Sequence, residues 1–164
     1  MIIKEIKLSD KIQLDSLIEE VESNLENRLF WLPISDMSRN HFFDDTWTHF
    51  VGAFDHDTLV AAVGLFFNEN EYGENIEALQ LTNEKCAEIG RAMVKVNYRH
   101  QGLMLVLTEK LIEYAKECGV EKLVATVHPD NIPSQRTFLK LGFKKEGYIV
   151  KKNDFERDIF LKCI

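Results

Sequence analysis

The sequence predicts a mixed α/β (α+β) fold, a β-sheet with helices on both faces, and three observations carry that expectation. Strand-type and helix-type hydrophobic periods follow one another in the order β-α-(α)-β-β-(loop)-β-α-β-α-β-β. The 164 residues amount to a single domain, residues 1–164, long enough to bury a core without disulfides or metals. A composition of 45% hydrophobic and 29% charged residues with three prolines is that of a folded chain, not of a disordered or fibrous one.

The elements follow in order. Residues 1–7 alternate apolar with charged, as a half-buried strand does, and Ser9 or Asp10 can cap a helix with Leu14, Leu17, Ile18, Val21 and Leu25 on one stripe. From Asn27 to Trp47 the chain is aromatic-rich and broken by Pro33, which reads as a loop and a short helix starting near Ser35 or Asp36. HFVGAFDHDTLVAAVGLFFN contains two strand-like runs around an Asp55-His56-Asp57 turn, the pattern of an antiparallel hairpin. A Gly- and Asn-containing acidic stretch with Glu69, Glu71, Glu74 and Glu77 reads as a loop with a helical turn. CAEIGRAMVKV is then a strand whose alternation places Glu88, Gly90, Ala92 and Val94 on one face and Ile89, Arg91 and Met93 on the other.

Past the loop YRHQG, Leu103, Leu107, Leu111, Tyr114, Ala115 and Cys118 recur at helical spacing, and Gly119 stands where a left-handed stop belongs. LVATV is a buried strand. Asn131 caps a shorter helix with Pro133 in its first turn and Gly142 at its end, and the last residues form a strand, a Lys-Asn-Asp turn and a closing strand.

The net charge of −7 argues against nucleic acid, whose phosphates require a basic face, and suits an amine-bearing, cationic small substrate. The stretch Asp10–Arg28 carries six carboxylates against two basic residues. Such clusters read first as solvated faces and second as an amine-attracting rim. Cys86, Cys118 and Cys163 are widely spaced with no C-x-x-C pair, so neither a disulfide framework nor a zinc site is indicated, and a reducing, cytoplasmic location is expected. No apolar run approaches membrane-spanning length and the first residues have no signal core, so no membrane partner is expected.

The chemistry concentrates in the loop after the CAEIGRAMVKV strand. A strand that ends in a polar glycine loop and restarts as a helix aims unpaired backbone N–H groups and the positive end of the helix dipole at one point, which suits phosphate. Gly102 would let backbone approach a pyrophosphate closely, and Arg99 adds a cation at the loop's entrance. From this loop alone, an ordinary strand-to-helix turn and a phosphate loop are equally good readings. A dinucleotide fold is disfavoured, because no G-x-G-x-x-G occurs and the loop lies in mid-chain.

V-K-V-N-Y-R-H-Q-G-L-M at 94–104, followed by N-I-P-S-Q-R-T-F-L-K-L-G-F at 131–143, resembles the GNAT superfamily of acetyl-CoA-dependent N-acetyltransferases. The resemblance spans the whole element order and is strongest from Ala87 to Phe143. It implies a mainly antiparallel sheet of six to seven strands whose central parallel strands splay apart, acetyl-CoA as co-substrate, and no metal. Transferred residue by residue, it implies that His100, Gln101, Gly102, Leu103, Met104 and Leu105 offer backbone donors to the pyrophosphate, with Arg99 opening the loop. Met93 and Val94 would meet the pantetheine arm as an added strand does. Asn131 and Ser134 would meet its far end, Arg136 would reach the nucleotide phosphate, and Phe138 would border the thioester. Family members often dimerise through the last strands, so a homodimer is an expectation from the resemblance alone.

The implied reaction is direct attack of a neutral amine on the thioester, which needs a base and a polarised carbonyl. Glu88 matches the glutamate of histone-type members; a salt-bridging or substrate-orienting role stays open beside that of base. Two positions depart from the family. Phe138 stands where a general-acid tyrosine is usual, with Tyr148 a weak substitute and Tyr98 read as structural. Met104 fills a slot for a small residue. These departures motivate the alternative of a catalytically silent acyl-CoA-binding module. His41, Asp45 and His49 would share a face only if a helix ran through them, which would make a metal site. His128 reads as a loop residue, and Phe30, Trp31, Phe42, Phe43 and Trp47 read as core aromatics; the resemblance implies that their segment borders the acceptor groove.

Overall fold

The computed structural model describes residues 1–82 and 84–164. Its strands are β1 (Ile2–Glu5), β2 (Thr48–Asp55), β3 (Thr58–Phe66), β4 (Cys86–Val94), β5 (Lys122–Val127), β6 (Lys144–Lys151) and β7 (Phe155–Cys163). Its helices are α1 (Lys11–Ser23), α2 (Asp36–Asn40), α3 (Glu69–Ala78), α4 (Leu103–Glu117) and α5 (Ile132–Lys140). The strands form one seven-stranded sheet in the order β1-β2-β3-β4-β5-β7-β6. Every neighbouring pair is antiparallel except β4 and β5.

The local signals act as the residue types require. Ser35 caps α2 and Asn131 caps α5, each side chain accepting a backbone N–H of the first turn. His56 and Asp57, at φ 44° and 65°, make the two-residue turn that matches the strand twist between β2 and β3. Leu14, Leu17, Ile18 and Val21 bury the stripe of α1 against Phe50, Ala62, Phe66 and Met93; each fully buried side chain contributes about 2 kcal/mol. On the opposite face, Leu103, Leu107 and Leu111 of α4 pack with Phe138 of α5 onto Ala87, Ile89, Leu123 and Ala125.

One stretch differs from the sequence reading in kind. The acidic segment is a ten-residue helix, α3, in place of a loop with one turn. Asn68 caps it, Glu69 and Glu71 lie in the first turn where the dipole favours acid, and Tyr72, Asn75 and Ile76 are buried. Its apolar side packs with Cys86 and Val124 on the face that α1 also covers.

The central strands explain where a groove opens. β4 and β5 pair only at Cys86–Lys122, Ala87–Leu123 and Glu88–Val124. Beyond Glu88 the two diverge. The β3–β4 register shifts between Ala62 and Gly64, and Arg91 sits at φ 52°. That bulge inserts one residue and reverses the alternation beyond it. The expected shared face of Glu88, Gly90, Ala92 and Val94 is therefore corrected. Glu88 lies on the α1/α3 face, whereas Ala92 and Val94 pack with the α4 cluster and Met93 with α1.

Candidate active site

Two clefts meet along the wedge between β4 and β5. One, about 200 Å³, is lined by Val94, Tyr98 and residues 99–105 together with Pro133, Ser134, Thr137 and Phe138. The other, about 160 Å³, surrounds Glu88. Ser134 and Phe138 border both, so the two clefts are adjacent.

The first cleft is built of backbone. His100 at φ 60° and Gly102 at φ 74° turn the chain into α4. Among the described residues, no protein acceptor takes the N–H groups of 100–105, and the first loop-to-helix bond runs from Val106 N–H to the Gly102 carbonyl. These donors converge at a helix N-terminus, the arrangement that holds phosphate. A Cβ on Gly102 would meet open space, so the positive φ and not crowding by protein requires glycine here, and the space stays free for a ligand. Arg99 donates to the Val94 carbonyl at 3.4 Å and lines the cradle. Met104 is half-buried and packs against the main core, which fits a bulky residue into the slot.

The remaining expected contacts divide. Val94 borders the cradle, whereas the Met93 side chain is 1% exposed and belongs to the α1 core, so only its backbone can face the wedge. Asn131 and Ser134 line the Glu88 cleft. Arg136 lines neither cleft. Phe138 packs its ring on Phe143 and Phe160. Tyr148 donates to Glu156 at 2.5 Å and lies outside both clefts, which removes it as the substitute acid. Tyr98 lines the cradle and is held by Asp55 at 2.8 Å.

The second cleft is built of side chains. Glu88 is half-buried beside the last β4–β5 pair. Loss of water pushes its carboxyl up to about 7 and the nearby Glu71 charge adds to this, while Lys151, Arg91 and the Asn75 amide pull it down. Asn75 donates to Glu88 at 3.1 Å and accepts from Lys151 at 2.9 Å; Lys151 also pairs with Glu74. Arg91 donates to the carbonyls of Leu32 and Pro33 and lies over the Trp31 ring, which ties the 31–33 segment across the cleft.

Several of these groups escaped the sequence reading. Asn75 lay in the supposed loop, and Lys151 and Arg157 looked like ordinary strand residues. Arg157 carried a usable signal: it shares the parity of Phe155 and Ile159, so the alternation places a charge at a buried position. The aromatic segment divides, with Phe30 and Trp31 lining the cleft and Phe42 buried against Phe50. The helical trio of His41, Asp45 and His49 does not form, because α2 ends at Asn40 and His49 belongs to β2. His41 instead stacks on Trp47, and His49 on Tyr114 near Glu5.

A mixed sheet that splays at its parallel pair, with a run of free backbone N–H groups on one side of the wedge and a half-buried carboxylate on the other, is the arrangement an acyl-CoA-dependent acyltransferase needs. Residues 14–143 match the Acetyltransferase (GNAT) family, and the chain belongs to that family, whose members use acetyl-CoA. A 56-residue stretch is 36% identical to the uncharacterised N-acetyltransferase YnaD of Bacillus subtilis (strain 168), covering 34% of this chain and 33% of that protein. The match thus spans about a third of the relative's length.

Among solved structures, the ribosomal-protein-alanine N-acetyltransferase of Brucella melitensis superposes with a TM-score of 0.76 over 100% of both chains at 19% identity. YncA of Salmonella typhimurium, solved with its cofactor acetyl-CoA, gives 0.74 over 99% of this chain and 93% of that one at 15% identity. At such identities the likeness shows the fold. No helix among the described residues is long and apolar enough to cross a membrane.

Proposed function

We propose that the protein transfers the acetyl group of acetyl-CoA to a primary amine by direct attack, with Glu88 as the base. The supporting observation is the carboxylate of Glu88, placed where β4 and β5 part and raised to about 7. A base of that pKa is ionised often enough to take a proton near neutrality and basic enough to hold it. Bound acetyl-CoA supplies a thioester: the amine nitrogen bonds to its carbonyl carbon, the C–S bond breaks, the amine proton passes to Glu88 and the departing thiolate takes a proton from water. Residues 100–105 hold the diphosphate end, and the free strand edges of the wedge align the arm. Asn75 and Lys151 keep Glu88 from drifting to a still higher pKa. A thiolate is a far weaker base than an alkoxide or an amide ion, so the coenzyme thiolate leaves without the tyrosine that Phe138 replaces.

Calorimetry with acetyl-CoA and thiol release across an amine panel test this reading. Wild type is expected to bind the coenzyme, Gly102→Glu to bind it far more weakly, and an amine to drive steady thiol release. Equal binding by both proteins defeats the cradle assignment. The buried Phe138 ring favours a second reading, a silent acyl-CoA-binding module. Binding without turnover by any amine would establish that module, and steady thiol release would eliminate it.

A further inference from the structure

The charges in the Glu88 cleft are not distributed evenly. Glu71 and Glu88 both act on Arg91, whose charge they offset, and Lys151 is balanced by Glu74. Arg157 has no such balance. It is 2% exposed, its one acceptor among the described residues is the Glu156 carbonyl at 2.6 Å, and its guanidinium lies over the Phe155 ring, 5.7 Å from the centroid. Among the described residues no carboxylate pairs with it, and the charge that reaches it is the like charge of Arg91. Burial and that repulsion draw its pKa down to about 10, which leaves it protonated at neutrality. A guanidinium carries five N–H donors in a fork suited to a carboxylate, and among the described residues one of them, on Nη1, has a protein acceptor.

A second donor stands on the same wall. The ladder that pairs Val127 with Asp158 brings His128, one residue further, alongside Arg157. Its Nδ1 accepts the Asp130 N–H at 3.0 Å, so Nε2 carries the proton, and that atom is buried with no hydrogen-bond partner among the described residues. Both residues line the cleft that holds Glu88. Burying an uncompensated charge and an unmet donor is costly, and an anion entering the cleft would relieve both.

We propose that the acceptor is a free amino acid, its amine directed to Glu88 and its carboxylate received by Arg157 with His128 beside it. The proposal rests on the amine-acetylation reading. The cleft holds the Glu88 carboxylate and, on another strand, a guanidinium with no carboxylate partner among the described residues, which together suit a zwitterion, and its volume of about 160 Å³ suits a small molecule. It sets a free amino acid apart from a protein N-terminus, whose first residue has an amide in place of the carboxylate.

The test measures calorimetric binding of free amino acids with apolar, polar and charged side chains to the coenzyme A-loaded protein, each compared with its α-carboxamide. Thiol release with acetyl-CoA is measured on the same pairs. At least one acid is expected to bind ten-fold or more tightly than its amide. Arg157→Met should erase that ratio through KM, Arg157→Lys should keep part of it, and acetyl-CoA affinity should not change in either. No binding by any acid, equal binding of acids and amides, or an Arg157→Met loss shared equally by both would overturn the proposal. Weakened acetyl-CoA binding in the variants would assign Arg157 to the coenzyme and overturn it too. Thiol release absent with every acceptor would defeat the acetyl-transfer reading, while the wild-type acid-to-amide binding ratio still decides the carboxylate site without relying on any variant.

Discussion

The two clefts that share Ser134 and Phe138 are made of different materials. The coenzyme cradle is a run of backbone N–H groups from one loop and the first turn of one helix, so its chemistry is nearly independent of which side chains stand there. The Glu88 cleft draws side chains from β4, α3, β6, β7, the 30–32 segment and the 128–134 stretch, and its chemistry is in those side chains. Side-chain substitution should therefore be severe in the second cleft and mild in the first, except where it alters backbone conformation or adds charge.

The largest effect is expected for Glu88→Gln. Loss of a general base lowers kcat by about 10²- to 10⁴-fold, with acetyl-CoA affinity within about two-fold. In wild type, kcat/KM should rise with pH through about 7, because the ionised carboxylate is the active form, and the variant should lose that limb. A retained limb would remove Glu88 as the base. The same carboxyl links pH to stability. Its folded pKa of about 7 lies above the ordinary 4.5, so its stabilising contribution is present below 4.5 and is lost as pH rises through 7. Melting curves should show wild type losing ground to Glu88→Gln across that window.

Next comes Gly102→Glu, which sets a carboxylate beside the coenzyme's diphosphate and forces a side chain to φ 74°. Coenzyme affinity should fall about 100-fold, consistent with about 4 kcal/mol between close charges near a protein surface less screening. Gly102→Ala is the matched control: it carries only the backbone strain, about 1 kcal/mol in unfolding free energy, with a much smaller loss of affinity. Equal losses in the two would mean that conformation, not charge, governs the cradle.

Asn75→Leu should be weaker still. It removes a donor that favours the ionised form of Glu88, so the pH limb moves up and turnover at pH 7 falls about two-fold for the first half unit of pKa, while rates at high pH recover. A uniform loss at every pH would make Asn75 merely structural. Met104→Ala should be the mildest at the site, with coenzyme affinity within about two-fold and stability lower by about 1 kcal/mol, because its side chain packs on the core.

The same contrast explains what could be read in advance. The cradle was legible because its parts are contiguous: Arg99 to Leu105 and Asn131 to Phe138 are short runs whose turn, cap and helix signals are local. The register of β4 was not, because Arg91 takes a left-handed conformation without being glycine, and alternation read through such a bulge puts Ala92 and Val94 on the wrong face. Helix α3 was missed because its acids and Gly73 outweigh its buried Tyr72 and Ile76 in a local reading, whereas packing on Cys86 and Val124 outweighs them in the fold.

The sequence by itself determined the element order, the strand and helix periods, the caps at Ser35 and Asn131, and the glycine loop that makes the family visible, all of which are set by residues within a few positions of one another. Only the tertiary structure decided that Asn75 and Lys151 hold Glu88, and that Arg157 shares its cleft without a counter-charge. Those relations depend on which distant segments lose water together, and desolvation and charge pairing are properties of a shared space, not of a stretch of chain.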